Sequence, residues 1–319
     1  MINGMQVVAL EEHYFDKELA EKFGGGGGGP KTIEKMYDHE NLRLELMDKA
    51  GVDVHVFSHA APSGQRLTEP GSTDLVKRTN DRLAELCARH PTRFAGFAAL
   101  ASNFPDEAAD ELERCVKDLG FCGTMVHGPS GGLFMDDKKF RPIFARAEAL
   151  DVPVYMHPAS PMPAVIEAYY KEYVQEYPSI LSAGWGFTVE TATAVVRMIL
   201  SGIFREHPNL KIIVGHLGEG IPFLLDRINE SFSRPGGEPV NFRETFCNNF
   251  WVTTSGFFST PALLCTQQEL GIDRIMYSVD WPYVEFERGS HWLRNLQLNP
   301  NDLENLLAGN ARRLLKLKI

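Results

Sequence analysis

The sequence predicts a closed (β/α)8 TIM barrel, and three observations carry that expectation. Eight short apolar runs alternate with longer amphipathic stretches almost from end to end. Several of the runs are rich in Val, Ile and Phe and apolar nearly throughout, as parallel strands buried on both faces should be. The length of 319 residues suits one barrel domain over 1–319, with an insertion after strand five and a C-terminal helix. The competing architecture, an open doubly wound sheet, would usually carry a Gly-rich dinucleotide turn after an early strand, and none is present.

The strand candidates are residues 5–10, 52–58, 93–100, 121–126, 152–157, 210–216, 250–254 and 274–279. Helical patterns lie between them at 41–50, 106–119 and 191–203. The first is followed by Gly51 and the second by Gly120, which suits the left-handed position that ends a helix. The stretch 160–189 is the insertion, and 302–317 is the C-terminal helix. Residues 24–29 are six consecutive glycines, a tract that neither helix nor strand tolerates cheaply. It reads as a flexible lid at the barrel mouth or as an inert surface loop, and it lacks the spacing of a phosphate-binding loop.

Composition narrows the function. The 32 Lys and Arg against 42 Asp and Glu give a net charge of −10, which argues against nucleic acid as a partner. Cys87, Cys115, Cys122, Cys247 and Cys265 are an odd set without CxxC spacing, so free thiols in a reducing compartment are expected. The opening MINGMQVVAL has no basic region ahead of its apolar run, and nowhere do 18 apolar residues run together. A soluble, cytoplasmic protein is the expectation.

Chemistry-bearing side chains fall at the ends of strand candidates. Glu11 and His13 come just after the first strand, and at i and i+2 of an extended segment they face one space while Glu12 faces the other. His157 closes strand five, His216 strand six and Asp280 strand eight. All five are at C-terminal strand ends, the face on which barrel active sites are built. Two imidazoles and two carboxylates form an O/N donor set suited to zinc or manganese. Taken singly, each has a plainer explanation: a histidine satisfied structurally, a turn at Asp280, a carboxylate in the first turn of a helix at Glu219. Four donors at one register make a metal site the better reading.

The segments ALEEH, YMHP, GHLGEGIPFLLDRI and SVDWP, in that order, resemble the amidohydrolase superfamily. More narrowly they are similar to its metal-dependent, non-oxidative aromatic acid decarboxylases, the γ-resorcylate and 2,3-dihydroxybenzoate decarboxylase group. The similarity runs from Val7 to about Leu317 and includes GWGFTVETA, ILSGIF and NARRLLKL. The resemblance implies that Glu11, His13, His157 and Asp280 hold one divalent metal ion, that His216 and Glu219 support the site, and that Arg227 matches the family's helix arginine. It implies decarboxylation of a small hydroxylated aromatic acid, with Asp280 protonating the carboxyl-bearing ring carbon, and a homo-oligomer, dimer or tetramer. The same donors suit metal-assisted hydrolysis of a lactone or amide, the alternative activity. Val284, the glycine tract and His127 depart from the family pattern on the pocket side. His127 and His59 are candidates for substrate contact, His127 with an acid group, and Trp185, Phe187 and Trp281 for an aromatic wall around the ring.

Overall fold

The computed structural model describes residues 1–24 and 28–318; residues 25–27 of the glycine tract lie outside the described residues. Among the described residues there are eight strands: β1 (Val8–Tyr14), β2 (Val54–His59), β3 (Phe94–Gly96), β4 (Thr124–His127), β5 (Val154–His157), β6 (Ile212–Val214), β7 (Phe250–Thr253) and β8 (Ile275–Met276). Each ladder is parallel and joins neighbours in chain order, as β1-β2-β3 and as β4-β5-β6-β7-β8. The order never reverses, which removes the doubly wound alternative.

The expected continuous ladder is interrupted at two seams. Between β3 and β4, and between β8 and β1, the pairing thins to the isolated parallel bridges Ala98–Thr124 and Leu10–Ser278, beside which the Cys122 amide donates to the Gly96 carbonyl at 3.1 Å and the His13 amide to the Trp281 carbonyl at 2.8 Å. Alternation along the strands explains the burial on both sides. Val8, Leu10, Val54, Val56, Met125 and Tyr155 belong to an inner cluster. Their neighbours Ala9, Phe57, Val126 and Met156 belong to an outer cluster with the helix residues Leu83, Leu112 and Val195. The C-terminal helix runs through Pro300–Glu304, a π-turn at Asn305–Gly309 and Asn310–Leu315. Its Ala308, Ala311 and Leu314 join the inner cluster. Asn310 ties it to the entry of β8, donating to the carbonyls of Ile272 and Ile275 at 2.7 Å each. The helix therefore stoppers the strand-start end and leaves the other end for the site.

Two of the three expected helices differ in their boundaries. The second helix is Pro105–Lys117, and Gly120, although left-handed at φ +73, stands two residues beyond its cap, Asp118. The helix expected at 191–203 is Gly186–Leu200, after which Gly202 at φ +80 turns the chain into Ile203–Glu206. The helix Asn41–Ala50 ends as read, on Gly51 at φ +78. A Cβ there would lie 2.9 Å from the Met1 carbonyl oxygen. Gly51→Ala is therefore expected to lower stability by about 1–2 kcal/mol in urea unfolding, from backbone strain and that contact.

Candidate metal centre

β1 carries the first two donors. Its register against β2 shifts between Ala9 and Glu12, and Glu11 sits in that irregularity at φ +57. Beyond it Glu12, His13 and Tyr14 pair with Phe57, Ser58 and His59. Glu11 and His13 thus lie inside the strand rather than after it, because pairing resumes past the bulge. His157 is the last residue of β5. His216 and Asp280 do not close their strands; each lies in the following turn with positive φ, +49 and +68, a conformation that ends extended pairing. Positive φ in non-glycine residues at Glu11, His216, Glu219, Ser255 and Asp280 concentrates backbone strain at this end of the barrel.

The fold brings Glu11, His13, His157 and Asp280 together, with one donor atom from each all within 4.8 Å of one another. His13 Nε2 is 3.3 Å from Asp280 Oδ1, and His157 Nε2 is 3.4 Å from Glu11 Oε1. Glu11 Oε1, His13 Nε2 and Asp280 Oδ1 are buried without a hydrogen-bond partner. Converging carboxylate oxygens stripped of water are costly unless a cation compensates them, so this donor set fits one divalent ion. The imidazoles are pre-set for it. His157 Nδ1 donates to the Pro158 carbonyl at 2.7 Å, which leaves Nε2 as a lone pair. His13 Nδ1 is 3.2 Å from Ser58 Oγ.

Surrounding groups hold these donors in place. Tyr155 and Ser255 both donate hydroxyl hydrogen bonds to Glu11 Oε2, which leaves Oε1 to face the cluster. Burial raises the Glu11 carboxyl to about 7, opposed by His216 and His13 and reinforced by Asp280. Glu12, on the far side of β1, accepts from the Val279 and Trp281 amides at 2.8 and 3.2 Å and from Ser278 Oγ at 3.3 Å. It thereby grips the turn that carries Asp280. Burial pushes the Glu12 carboxyl up to about 8, against the lowering effect of those two amides. Arg43 is wholly buried, donates to the His13 carbonyl at 2.7 Å, and lies between the rings of Phe57 and Trp281 at 4.3 and 4.1 Å.

Glu219 is not in a helix but in the turn ahead of Ile221–Phe232, and its Oε1 is 2.8 Å from His216 Nδ1. Burial alone would lower the His216 imidazolium; the Glu219 carboxylate, with Glu11 and Asp280, outweighs it and pushes the group up to about 10. His216 is thus a charged donor beside two carboxylates.

Other sequence candidates fare differently. His127 pairs in register with His157, their rings 4.6 Å apart. His59 packs on Tyr14 and Phe15 at 5.3 and 5.7 Å, on the outer side of β2, because alternation turns it away from the interior. Trp281 is fully buried with its faces covered by Arg43 and Phe286, so it belongs to the packing and is no wall for a ring. Arg227 is solvent-exposed on its helix, Trp185 is more than half exposed, and Phe187 is half-buried. Tyr283, whose ring is 5.6 Å from that of His13, was not anticipated. Nor were Glu12, Tyr155, Ser255 and Arg43. Tyr155 carried a usable signal, since two residues before His157 in a strand it shares the same face.

Fold and site together define a metal-binding α/β barrel with its donors at C-terminal strand ends. The chain belongs to the amidohydrolase family, which residues 34–317 match. It is 38% identical to the γ-resorcylate decarboxylase of Rhizobium sp. (strain MTP-10005), over 97% of this chain and 98% of that one. Among solved structures it is similar to a 2,6-dihydroxybenzoate decarboxylase complexed with 2,6-dihydroxybenzoate, with a TM-score of 0.90, 38% identity, and coverage of 98% and 100%. It is also similar to a dihydroxybenzoic acid decarboxylase from Polaromonas sp. JS666 with bound manganese and the inhibitor 2-nitroresorcinol, with a TM-score of 0.89, 35% identity, and coverage of 99% and 98%.

Proposed function

We propose that this protein decarboxylates a hydroxylated aromatic acid without an oxidant, with Glu11, His13, His157 and Asp280 holding one manganese or zinc ion. The observation that carries the reading is the convergence of two carboxylates and two imidazoles within 4.8 Å, in a chain 38% identical to a γ-resorcylate decarboxylase. A bound divalent cation supplies Lewis-acid attraction for the substrate carboxylate and the neighbouring phenolate oxygen.

Asp280, as the carboxylic acid, delivers its proton to the ring carbon that bears the carboxyl group. The ring loses aromaticity, the bond to the carboxyl carbon breaks, and its electron pair returns to the ring as carbon dioxide leaves. His216, held through Nδ1 by Glu219, stands as a charged donor bearing on Asp280 and replenishes its proton for the next cycle. Glu12 keeps the Asp280 turn fixed, which is what positioning for proton transfer requires. Burial of Glu11, His13 and His157 limits the access of water to the reacting ring carbon and its proton donor. One barrel domain over 1–319 accounts for the activity. Exposed Phe223 and Tyr169 favour self-association, and five free cysteines favour the cytoplasm.

The direct test offers 2,6- and 2,3-dihydroxybenzoate to the manganese-loaded protein and follows ultraviolet absorbance and carbon dioxide. Turnover is expected, falling by at least about a hundredfold after chelation and returning with added manganese. Hydrolysis of a chromogenic lactone with no loss of carbon dioxide from either acid would overturn the proposal.

A further inference from the structure

Tyr14 is a buried phenol that the metal centre does not use. It follows His13 along β1, and alternation turns it to the outer cluster of the barrel while His13 faces the interior. Its hydroxyl is buried without a hydrogen-bond partner, in a residue 3% exposed. Native folds seldom leave such a group unmet, because it costs stability until a ligand or a neighbour satisfies it.

Tyr14 lines a groove of about 740 Å³ on the outside of the barrel, within the size range of small-molecule sites. The groove lies between the helices Lys17–Glu21, Pro30–Tyr37 and Ser72–Arg89, on the opposite side of β1 from His13. Burial pushes the Tyr14 phenol well above its ordinary range, reinforced by Asp16 and opposed by Arg82. Both of those side chains line the groove, so the hydroxyl stands on its side of the barrel wall. The rest of the lining is apolar and aromatic, from Phe15, Tyr37, His39, Leu83 and Leu86. The Phe15 and Tyr37 rings are 5.5 Å apart, and those of Tyr14 and His39 5.4 Å apart.

The cations on the rim are already paired. Arg82 is 2.6 and 2.7 Å from the two Asp16 oxygens, Arg89 is 2.9 and 3.2 Å from those of Glu40, and Lys17 is 3.9 Å from Glu21. Glu85 adds a further carboxylate. An anion entering the groove meets Asp16, Glu21 and Glu85, and must displace one of them to gain a cation. A neutral ring pays no such cost, and a hydroxyl on it supplies what Tyr14 lacks.

We propose that this groove is a second ligand site, separate from the metal centre, which takes a small neutral phenol, burying the ring against Phe15, Tyr37 and Leu86 and pairing its hydroxyl with that of Tyr14. The inference goes beyond the decarboxylase reading and does not depend on it. Phenols are also the class of compound that the proposed reaction releases.

The test titrates the manganese-loaded protein with phenol, toluene and benzoate by calorimetry, in wild type, Tyr14→Phe and Glu85→Trp. Glu85 is exposed on the rim, so E85W fills the groove without altering the core. E85W should lower phenol affinity by about tenfold or more while leaving benzoate affinity as in wild type. Y14F should lower phenol affinity by about threefold or more and leave that for toluene within about 1.5-fold, since only the hydroxyl is lost. Without ligand, Y14F should unfold at no lower temperature than wild type, because it removes an unmet group. No phenol binding to wild type, phenol affinity unchanged in both variants, or equal losses of phenol and toluene in Y14F overturns the inference. A loss of benzoate in E85W equal to that of phenol would place anions in the groove and overturn the neutral ligand.

Discussion

Asp280→Asn is expected to lower kcat by about a thousandfold or more, with little change in KM, because a positioned general acid contributes on the order of 10²–10⁴ and an amide cannot replace it. The asparagine oxygen still faces the cluster, so manganese content measured on the purified variant should remain near that of wild type. The turn itself is built by backbone contacts, with the Tyr283 and Val284 amides donating to the Asp280 carbonyl at 2.9 and 3.0 Å, and these do not involve the side chain. Fold stability should accordingly change little. A variant within about tenfold of wild-type kcat would remove Asp280 as the proton donor. A variant inactive only because it no longer holds manganese would make Asp280 a ligand and nothing more.

Glu12→Leu is expected to produce the largest loss of stability among the single substitutions considered, about 3–5 kcal/mol by urea unfolding, because it strands three buried donors at once. Those donors are the Val279 and Trp281 amides and the Ser278 hydroxyl, and leucine offers them nothing. Glu12→Gln keeps one acceptor and should cost roughly half as much. If Glu12→Leu changed stability by less than about 1 kcal/mol, the carboxylate would not be what holds the Asp280 turn.

The sequence displayed the barrel well because its signals are local. The apolar runs at VPVYMHP and IIVGH register as strands regardless of what lies around them. The donor set was legible for the same reason: a His or Asp where a strand stops is visible without coordinates. The details that failed are set by partners far along the chain. Whether β1 stops at Leu10 or runs on to Tyr14 depends on pairing with Phe57, Ser58 and His59. Trp281 is a candidate for a substrate wall by composition and becomes packing only because Arg43 and Phe286 take its two faces. Arg43 itself carries no local mark, since an arginine in an amphipathic helix is ordinarily read as exposed. Likewise, only the seam geometry reveals that Glu12 spans to Val279 and Trp281.

The four donors are divided between the two ladders. Glu11 and His13 belong to the three-stranded sheet, while His157 and Asp280 extend from the five-stranded one. In the proposed site, an ion held by all four would rivet the β8–β1 seam, where the backbone supplies the isolated Leu10–Ser278 bridge and the bond from the His13 amide to the Trp281 carbonyl. On that ligand set, capture by all four donors waits until residue 280 has left the ribosome and met residue 11, so that metal loading would be a late event in the maturation of each molecule.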